Sequence, residues 1–172
     1  MDEFKNKKTI LEILHDMEDF AIMKQMQCKP IYLAGGSACI LADVIQRGTI
    51  DIDILDINYA ANIGRLFKLL GDYDILDLEL TTVAENFETR AIKLDEFTYL
   101  NIFILSNEDI ITTKIGRYSD KDKEDIKALL EKSNIKLLLN LIDNVINRED
   151  LNKKVKDKFI RNVKSFRRDF NV

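Results

Sequence analysis

The spacing of hydrophobic and polar residues divides the first third of the chain into helices and strands. Residues 2–27 have apolar side chains three or four positions apart, which predicts an amphipathic helix. Residues 31–34 are a short apolar run, which predicts a buried strand. Residues 37–48 return to helical spacing and stop at a glycine. Residues 49–54 alternate strictly between polar and apolar, which predicts a strand with one acidic face.

The remaining pattern predicts further strands followed only by helices. A helix capped by Asn58 is expected over residues 58–70, and three strands are expected over residues 72–82, 89–97 and 99–105. Capping boxes at 106–109 and 119–122 open two helices, and two more are expected over 134–146 and 149–170. This order predicts an α+β fold. We expect one domain over residues 1–172, with a sheet core at about 28–105 and a helical part at about 106–172.

A glycine turn leads from the first strand into the next helix. Gly35 and Gly36 allow a sharp turn and leave room for a ligand close to the backbone. Ser37 follows at a predicted helix N-terminus, where free N–H groups and the helix dipole favour an anion. The turn therefore predicts a phosphate-binding position, although a lone Gly-Gly-Ser is also common in ordinary turns.

Two aspartates occupy one face of the following strand. Asp51 and Asp53 are two residues apart, so their carboxylates point to the same side at about 6.6 Å along the backbone. Acids this close repel each other unless a cation lies between them, and Mg²⁺ prefers such oxygen ligands together with substrate phosphates. With 30 acids in 172 residues, such a pair also arises by chance. Beside a phosphate-binding turn, however, the pair indicates phosphoryl or nucleotidyl transfer.

The glycine turn and the acidic strand together resemble a known signature. Gly-Gly-Ser, thirteen residues and then Asp-Ile-Asp-Ile is similar to the motif of the DNA polymerase beta type nucleotidyltransferase superfamily. The form Arg47-x-Thr49-x-Asp51-x-Asp53 resembles the branch of abortive-infection, toxin-like nucleotidyltransferases. The resemblance implies a mixed sheet flanked by helices, a nucleoside triphosphate and two Mg²⁺ ions. It implies that the triphosphate contacts Gly35, Gly36, Ser37, Arg47 and Thr49, and that Asp51 and Asp53 bind the metals.

A third carboxylate of that superfamily has no obvious counterpart here. It often lies on a strand beside the acid pair, and the matching position in the segment 99–105 is Asn101. An amide cannot supply the charge that helps to hold two metals or to accept a proton. The sequence leaves two alternatives: Asp77, Glu79 or Asp95 substitutes, or two acids suffice.

A second block of charged residues follows in the helical part. The pattern Lys114-x-x-Arg117-x-x-x-Lys121-Asp122-x-x-Asp125 is similar to a second motif of the toxin-like branch. The resemblance implies that Lys114 contacts the triphosphate and that Asp122 takes part in catalysis. The alternatives are a solvated helix lysine and an ordinary helix-capping acid.

Charge is unevenly distributed along the chain. Residues 149–172 hold eight Lys/Arg and four Asp/Glu, so this segment is +4 in a chain of net charge −4. In the last predicted helix, basic residues are interspersed with Phe159, Phe166 and Phe170. Two interpretations are open: the helix contacts an RNA backbone, or it is a surface helix whose aromatic residues belong to the core.

These observations predict a Mg²⁺-dependent nucleotidyltransferase that moves a nucleoside monophosphate from an NTP to a hydroxyl acceptor. RNA, tRNA or a protein is the candidate acceptor or partner, and a small-molecule acceptor ranks lower. The alternative is an inactive nucleotide- or RNA-binding module or a toxin–antitoxin partner. No apolar run approaches the roughly 20 residues of a membrane span, and residues 1–8 lack the apolar core of a signal peptide. With only two cysteines, the protein is expected to be cytoplasmic.

Overall fold

Five short strands form one mixed sheet in the computed structural model, which describes residues 4–172. The strands are β1 (Ile31–Ala34), β2 (Ile52–Leu55), β3 (Tyr73–Leu76), β4 (Ile92–Lys93) and β5 (Ile102–Ile104). Their order across the sheet is β3-β2-β1-β5-β4. The central strand β1 is antiparallel to β2 and parallel to β5, while β3 is parallel to β2 and β4 is antiparallel to β5.

Helices make up most of the remaining regular structure. They are α1 (Lys7–Met23), α2 (Gly35–Leu41), α3 (Gly64–Phe67), α4 (Asn107–Arg117), α5 (Asp120–Leu130), α6 (Ile135–Asn147) and α7 (Lys153–Phe170). A mixed sheet combined with these helices confirms the α+β class. Within residues 4–172, no helix has both the length and the apolar character needed to cross a bilayer.

The described chain divides into two compact units. The first comprises residues up to Leu76 together with Ala91–Ile104, and contains the whole sheet with α1, α2 and α3. The second comprises Asp77–Arg90 and Leu105–Val172, and contains α4 to α7. Residues 77–90, which the sequence analysis grouped with the sheet, therefore pack with the C-terminal helices.

Residues of α1 and of the sheet both contribute to the core of the first unit. Ile10, Leu14 and Met17 of α1 are fully buried, as are Ile52 and Ile54 of β2. This burial follows from the two spacings in the sequence, one helical and one alternating.

A buried carboxylate on α1 supports the turn before β5. Glu18 is 8% exposed, and its oxygens accept hydrogen bonds from the backbone N–H groups of Thr98, Tyr99 and Leu100 at 3.2, 3.0 and 2.8 Å. These bonds satisfy three donors that would otherwise lack partners in the turn.

A buried arginine, Arg148, and a half-buried one, Arg90, join the segment 77–90 to the helices of the second unit. Arg148 is 4% exposed and uses all five of its N–H donors. They reach the carbonyls of Leu78, Thr81 and Val83 and both carboxylate oxygens of Asp150, at 2.7 to 3.0 Å. In the same unit, Arg90 forms a two-pronged ion pair with the fully buried Asp109, with both N···O distances at 2.9 Å.

Several predicted helix bounds were wrong. The helix expected over 37–48 starts at Gly35 and ends at Leu41, because Asp43 turns into the left-handed region (φ 56°), which a short polar side chain tolerates. Asn58 does not cap a helix: it has φ 60°, and its N–H binds the Asp56 carboxylate at 2.8 Å in a turn.

Other predicted bounds were too long. The first helix covers Lys7–Met23 after the cap Asn6, and the part of its prediction at residues 2 and 3 lies outside the described residues. The last helix begins at Lys153 after the cap Asn152 rather than at residue 149. The strand expected over 72–82 is only Tyr73–Leu76, because the Asp77 carboxylate accepts the Glu79 N–H at 2.8 Å and starts a 3₁₀ turn. The strands expected over 89–97 and 99–105 shrink to β4 and β5.

Candidate metal and nucleotide site

Three aspartates of the first unit bring their carboxylates together. Asp51 lies just before β2, Asp53 lies within it, and Asp74 lies on the neighbouring strand β3. One oxygen from each lies within 4.8 Å of the others. The parallel register of β2 and β3 creates the cluster, because it sets Asp53 directly beside Asp74.

The exposure of the cluster increases from one side to the other. Asp53 is 9% exposed, Asp51 is half-buried and Asp74 is exposed. Among residues 4–172, no Lys or Arg forms an ion pair with Asp51 or Asp74. Like charges this close raise each other's energy, so a cation would stabilise the group. Three carboxylates suit a hard divalent ion such as Mg²⁺, which binds oxygen ligands at about 2.0–2.1 Å.

The glycine turn contacts this cluster directly. Gly35 has φ +57°, and a Cβ built on it would lie 1.6 Å from Oδ2 of Asp53. The antiparallel pairing of Ala34 with Asp53 brings the start of α2 to the acid. Glycine is therefore needed at this position for two reasons, its backbone conformation and the space that the carboxylate occupies.

Thr49 connects the turn with the other aspartate. It is 3% exposed, and its hydroxyl lies 3.2 Å from the carbonyl and 3.4 Å from the carboxylate of Asp51. A Cβ on Gly36 would lie 3.0 Å from the same hydroxyl oxygen. Backbone hydrogen bonds with Lys5, at 2.7 and 3.0 Å, fix Thr49 in place. Thr49 thus orients Asp51, and its predicted contact with a nucleotide stays a prediction.

The third acid differs from every candidate that the sequence suggested. The cluster includes none of Asp77, Glu79 and Asp95 among the described residues, and Asn101 is an exposed residue before β5. Asp74 was missed because the register of two strands cannot be read from alternation alone. One signal was present: Asp53-Ile54-Leu55 recurs as Asp74-Ile75-Leu76, and these two triplets pair residue by residue.

A family model described as a nucleotidyltransferase of unknown function (DUF6036) matches residues 8–170. The chain belongs to this nucleotidyltransferase family. Neither the curated proteins nor the solved structures contain a match to it. Membership confirms the nucleotidyltransferase assignment made from the glycine turn and the acid pair, while the toxin-like branch stays a prediction.

In this family member, the predicted triphosphate ligand Ser37 is the third residue of α2 and is fully buried. Its hydroxyl donates to the Ala34 carbonyl at 3.0 Å, so it fixes the turn from β1 into α2. The helix N-terminus has no side-chain cap. Arg47 is half-buried. Contacts of Gly35, Gly36, Ser37 and Arg47 with a triphosphate stay predictions.

The second predicted block forms a buried charge network between α4 and α5 in the second unit. Lys114 is 2% exposed, and its Nζ lies 2.7 Å from Asp125 and 3.6 Å from Asp122. Arg117, which is 66% exposed, approaches Asp122 at 2.8 Å. Lys114 is therefore not a solvated lysine, and its charge is matched inside the unit. Its contact with the triphosphate stays a prediction.

Asp122 completes this network and caps α5. Its carboxylate accepts the Ser119 N–H at 3.1 Å, while the Ser119 hydroxyl accepts the Asp122 N–H at 3.2 Å, so the predicted capping box is confirmed. Burial alone would raise the pKa of Asp122, but hydrogen bonds from Arg117 and Ser119 and the charges of Arg117 and Lys114 lower it overall. These contacts give Asp122 a structural role, and a catalytic one stays a prediction.

Proposed function

We propose that the chain transfers a nucleoside monophosphate from an NTP to a hydroxyl acceptor, with Mg²⁺ held by Asp51, Asp53 and Asp74. The observation that carries the proposal is the cluster of three carboxylates beside the glycine turn, in a chain of a nucleotidyltransferase family. Oxygen donors of this number and charge fit Mg²⁺, and the glycine turn brings the start of α2 next to the acids.

The three acids would have different roles because their surroundings differ. Asp53 is buried against Gly35 and Asp51 is oriented by Thr49, so both are fixed as metal ligands. Asp74 is exposed and is the candidate to accept the proton of the acceptor hydroxyl or to complete the metal site. When bound, Mg²⁺ would neutralise charge on the phosphate oxygens and favour in-line displacement.

The rival interpretation, an inactive binding module, depended on a missing third acid. Asp74 removes that reason, since it lies in the cluster that Asn101 could not complete. Roles of Lys114 and Asp122 at the triphosphate remain part of the proposal, as does an RNA, tRNA or protein acceptor.

The test uses conservative substitutions of the cluster and two separate readouts. Asp53→Asn and Asp74→Asn are compared with Asp72→Asn, a matched control two residues before Asp74 and outside the cluster. Mn²⁺ binding is measured by electron paramagnetic resonance. Transfer is measured by incubation with each labelled NTP and total cellular RNA and protein.

We expect Asp53→Asn to weaken Mn²⁺ binding and to reduce transfer about 100-fold or more, with unchanged circular dichroism. Asp72→Asn should behave like the parent. Parent-like Mn²⁺ binding and transfer in Asp53→Asn would overturn the proposed site. Loss in Asp53→Asn but not in Asp74→Asn would show that two acids suffice.

A further inference from the structure

Helix α7 concentrates positive charge in an otherwise acidic chain. Residues 153–170 contain eight Lys/Arg and two Asp, a net of +6, whereas the whole chain is −4. The other residues therefore carry −10. Such a separation of charge gives α7 a field that attracts anions although the protein as a whole is acidic.

Six of the eight basic residues of α7 lie on the side of the helix opposite its buried apolar residues. Phe159, Val163 and Phe166 are buried in the second unit. At about 100° per residue, the opposite side carries the exposed Asp157 and six exposed cationic residues, which we call the basic face. They are Lys153, Lys154, Lys158, Arg161, Lys164 and Arg168. Within residues 4–172, five of them form no ion pair, and Arg168 pairs with Asp169 at 3.1 Å.

The composition of the basic face excludes two kinds of contact. A helix that lies on a lipid surface needs exposed apolar side chains to enter the headgroup boundary, and none of the large exposed hydrophobic residues belongs to α7. Stacking on nucleobases needs exposed aromatic rings, but Phe159 and Phe166 are fully buried and Phe170 packs on Phe166 at 5.4 Å. Contact with a series of phosphates remains, and it requires only the cations.

We propose that the basic face of α7 binds the phosphate backbone of single-stranded RNA without reading its sequence. The helix is about 27 Å long. A flexible single strand can follow such a short row of cations. Stiff duplex DNA, with a persistence length of about 150 base pairs, would extend past it into the field of the rest of the second unit, which carries a net charge of −5. Phosphate binding does not depend on the proposed function. The choice of RNA over DNA does, because RNA adds a hydroxyl acceptor on every nucleotide.

The test measures binding in the absence of NTP and metal. Fluorescence anisotropy is recorded with a labelled 20-nucleotide single-stranded RNA, the same sequence as single-stranded and duplex DNA, and vesicles of anionic lipid. The variant is Lys154→Glu/Arg161→Glu/Lys164→Glu. The matched control is Lys68→Glu/Lys127→Glu/Lys136→Glu, which changes net charge equally at exposed lysines outside α7. Circular dichroism confirms that both variants are folded.

We expect the α7 variant to bind RNA at least about tenfold more weakly, and the slope of log K against log salt to fall by about 2, since each lost phosphate contact removes about 0.7. The control should retain most of the affinity. Equal losses in both variants, or tighter binding of vesicles than of RNA, would overturn the proposal. Equal or tighter binding of either DNA would overturn the choice of RNA. Asp53→Asn should bind RNA with the affinity of the parent. A loss of nucleotidyl transfer can then be distinguished from a loss of RNA binding.

Discussion

Among residues 4–172, each unit contains a group of neighbouring aspartates, and the two groups differ in how their charge is matched. In the second unit, Asp122 and Asp125 face the buried Lys114, and Asp122 also pairs with Arg117. In the first unit, three carboxylates lie within 4.8 Å, and within residues 4–172 neither Asp51 nor Asp74 has an ion-pair partner.

The comparison teaches that clustering of acids is not by itself a functional signal. Where the fold supplies cations, the acids stabilise structure, and removing one partner leaves an uncompensated charge. Where two of the acids, Asp51 and Asp74, have no ion-pair partner among residues 4–172, a cation from solution lowers the energy of the group. Substitutions in the two groups of aspartates separate these two situations.

The largest effect is expected for Asp125→Asn. Lys114 would lose its partner at 2.7 Å while remaining buried, so the free energy of unfolding should fall by about 3–5 kcal/mol. Urea unfolding monitored by circular dichroism measures this, with the fully exposed Asp120→Asn as the control.

A second experiment, isothermal titration of the folded Lys114→Met protein with ATP, tests the role of Lys114. If the network is structural, Lys114→Met destabilises the protein, but at a temperature where it is folded its affinity for ATP matches that of the parent. A folded Lys114→Met protein that binds ATP at least tenfold more weakly would instead support the predicted contact with the triphosphate.

A smaller effect on stability, with a larger one on metal binding, is expected for Gly35→Ala. The left-handed backbone costs alanine about 1–2 kcal/mol, and the new Cβ would displace the Asp53 carboxylate. Titration with Mn²⁺ should show an affinity reduced about tenfold or more. Gly64→Ala is the control, because a Cβ there meets nothing within 4 Å. Parent-like metal binding in Gly35→Ala would contradict the contact with Asp53.

The smallest effect on the free energy of unfolding is expected from lowering the pH. The pKa of Asp122 lies below its usual value of 3.8 in the folded chain, so the unfolded chain binds this proton more readily. The resulting stabilisation is fully present above about pH 3.8 and is lost as the pH falls through the lower, folded pKa. Urea unfolding between about pH 5 and pH 2 should show this loss at the acid end of the range, and Asp122→Asn should reduce it.

Local chemistry made the helical part of the chain predictable. Ser106 and Ser119 were identified as caps from the sequence, and each accepts a hydrogen bond from the N–H three residues later. The strands were predicted too long because alternation continues through Asp77 and Thr89, where side-chain hydrogen bonds and 3₁₀ turns end the sheet.

The candidate site was predictable only where it is local. Gly35 and the pair Asp51 and Asp53 could be identified as site residues because each belongs to a single local element, a turn or one strand. Asp74 depends on the register between two strands, and the partners of Lys114 depend on how two helices pack, so neither could be deduced from spacing.

Arg148 shows that a residue can count toward the positive charge of a sequence and still have no free donor with which to bind an anion. Its guanidinium counts as one of the 26 cationic side chains, yet its five N–H donors are all used by three carbonyls and one carboxylate. Replacement by lysine, which has three donors, would leave at least two of those oxygens without a hydrogen bond from residue 148. A charge map drawn from the sequence alone would therefore predict anion binding at Arg148, although its hydrogen-bond donors are all used within the protein.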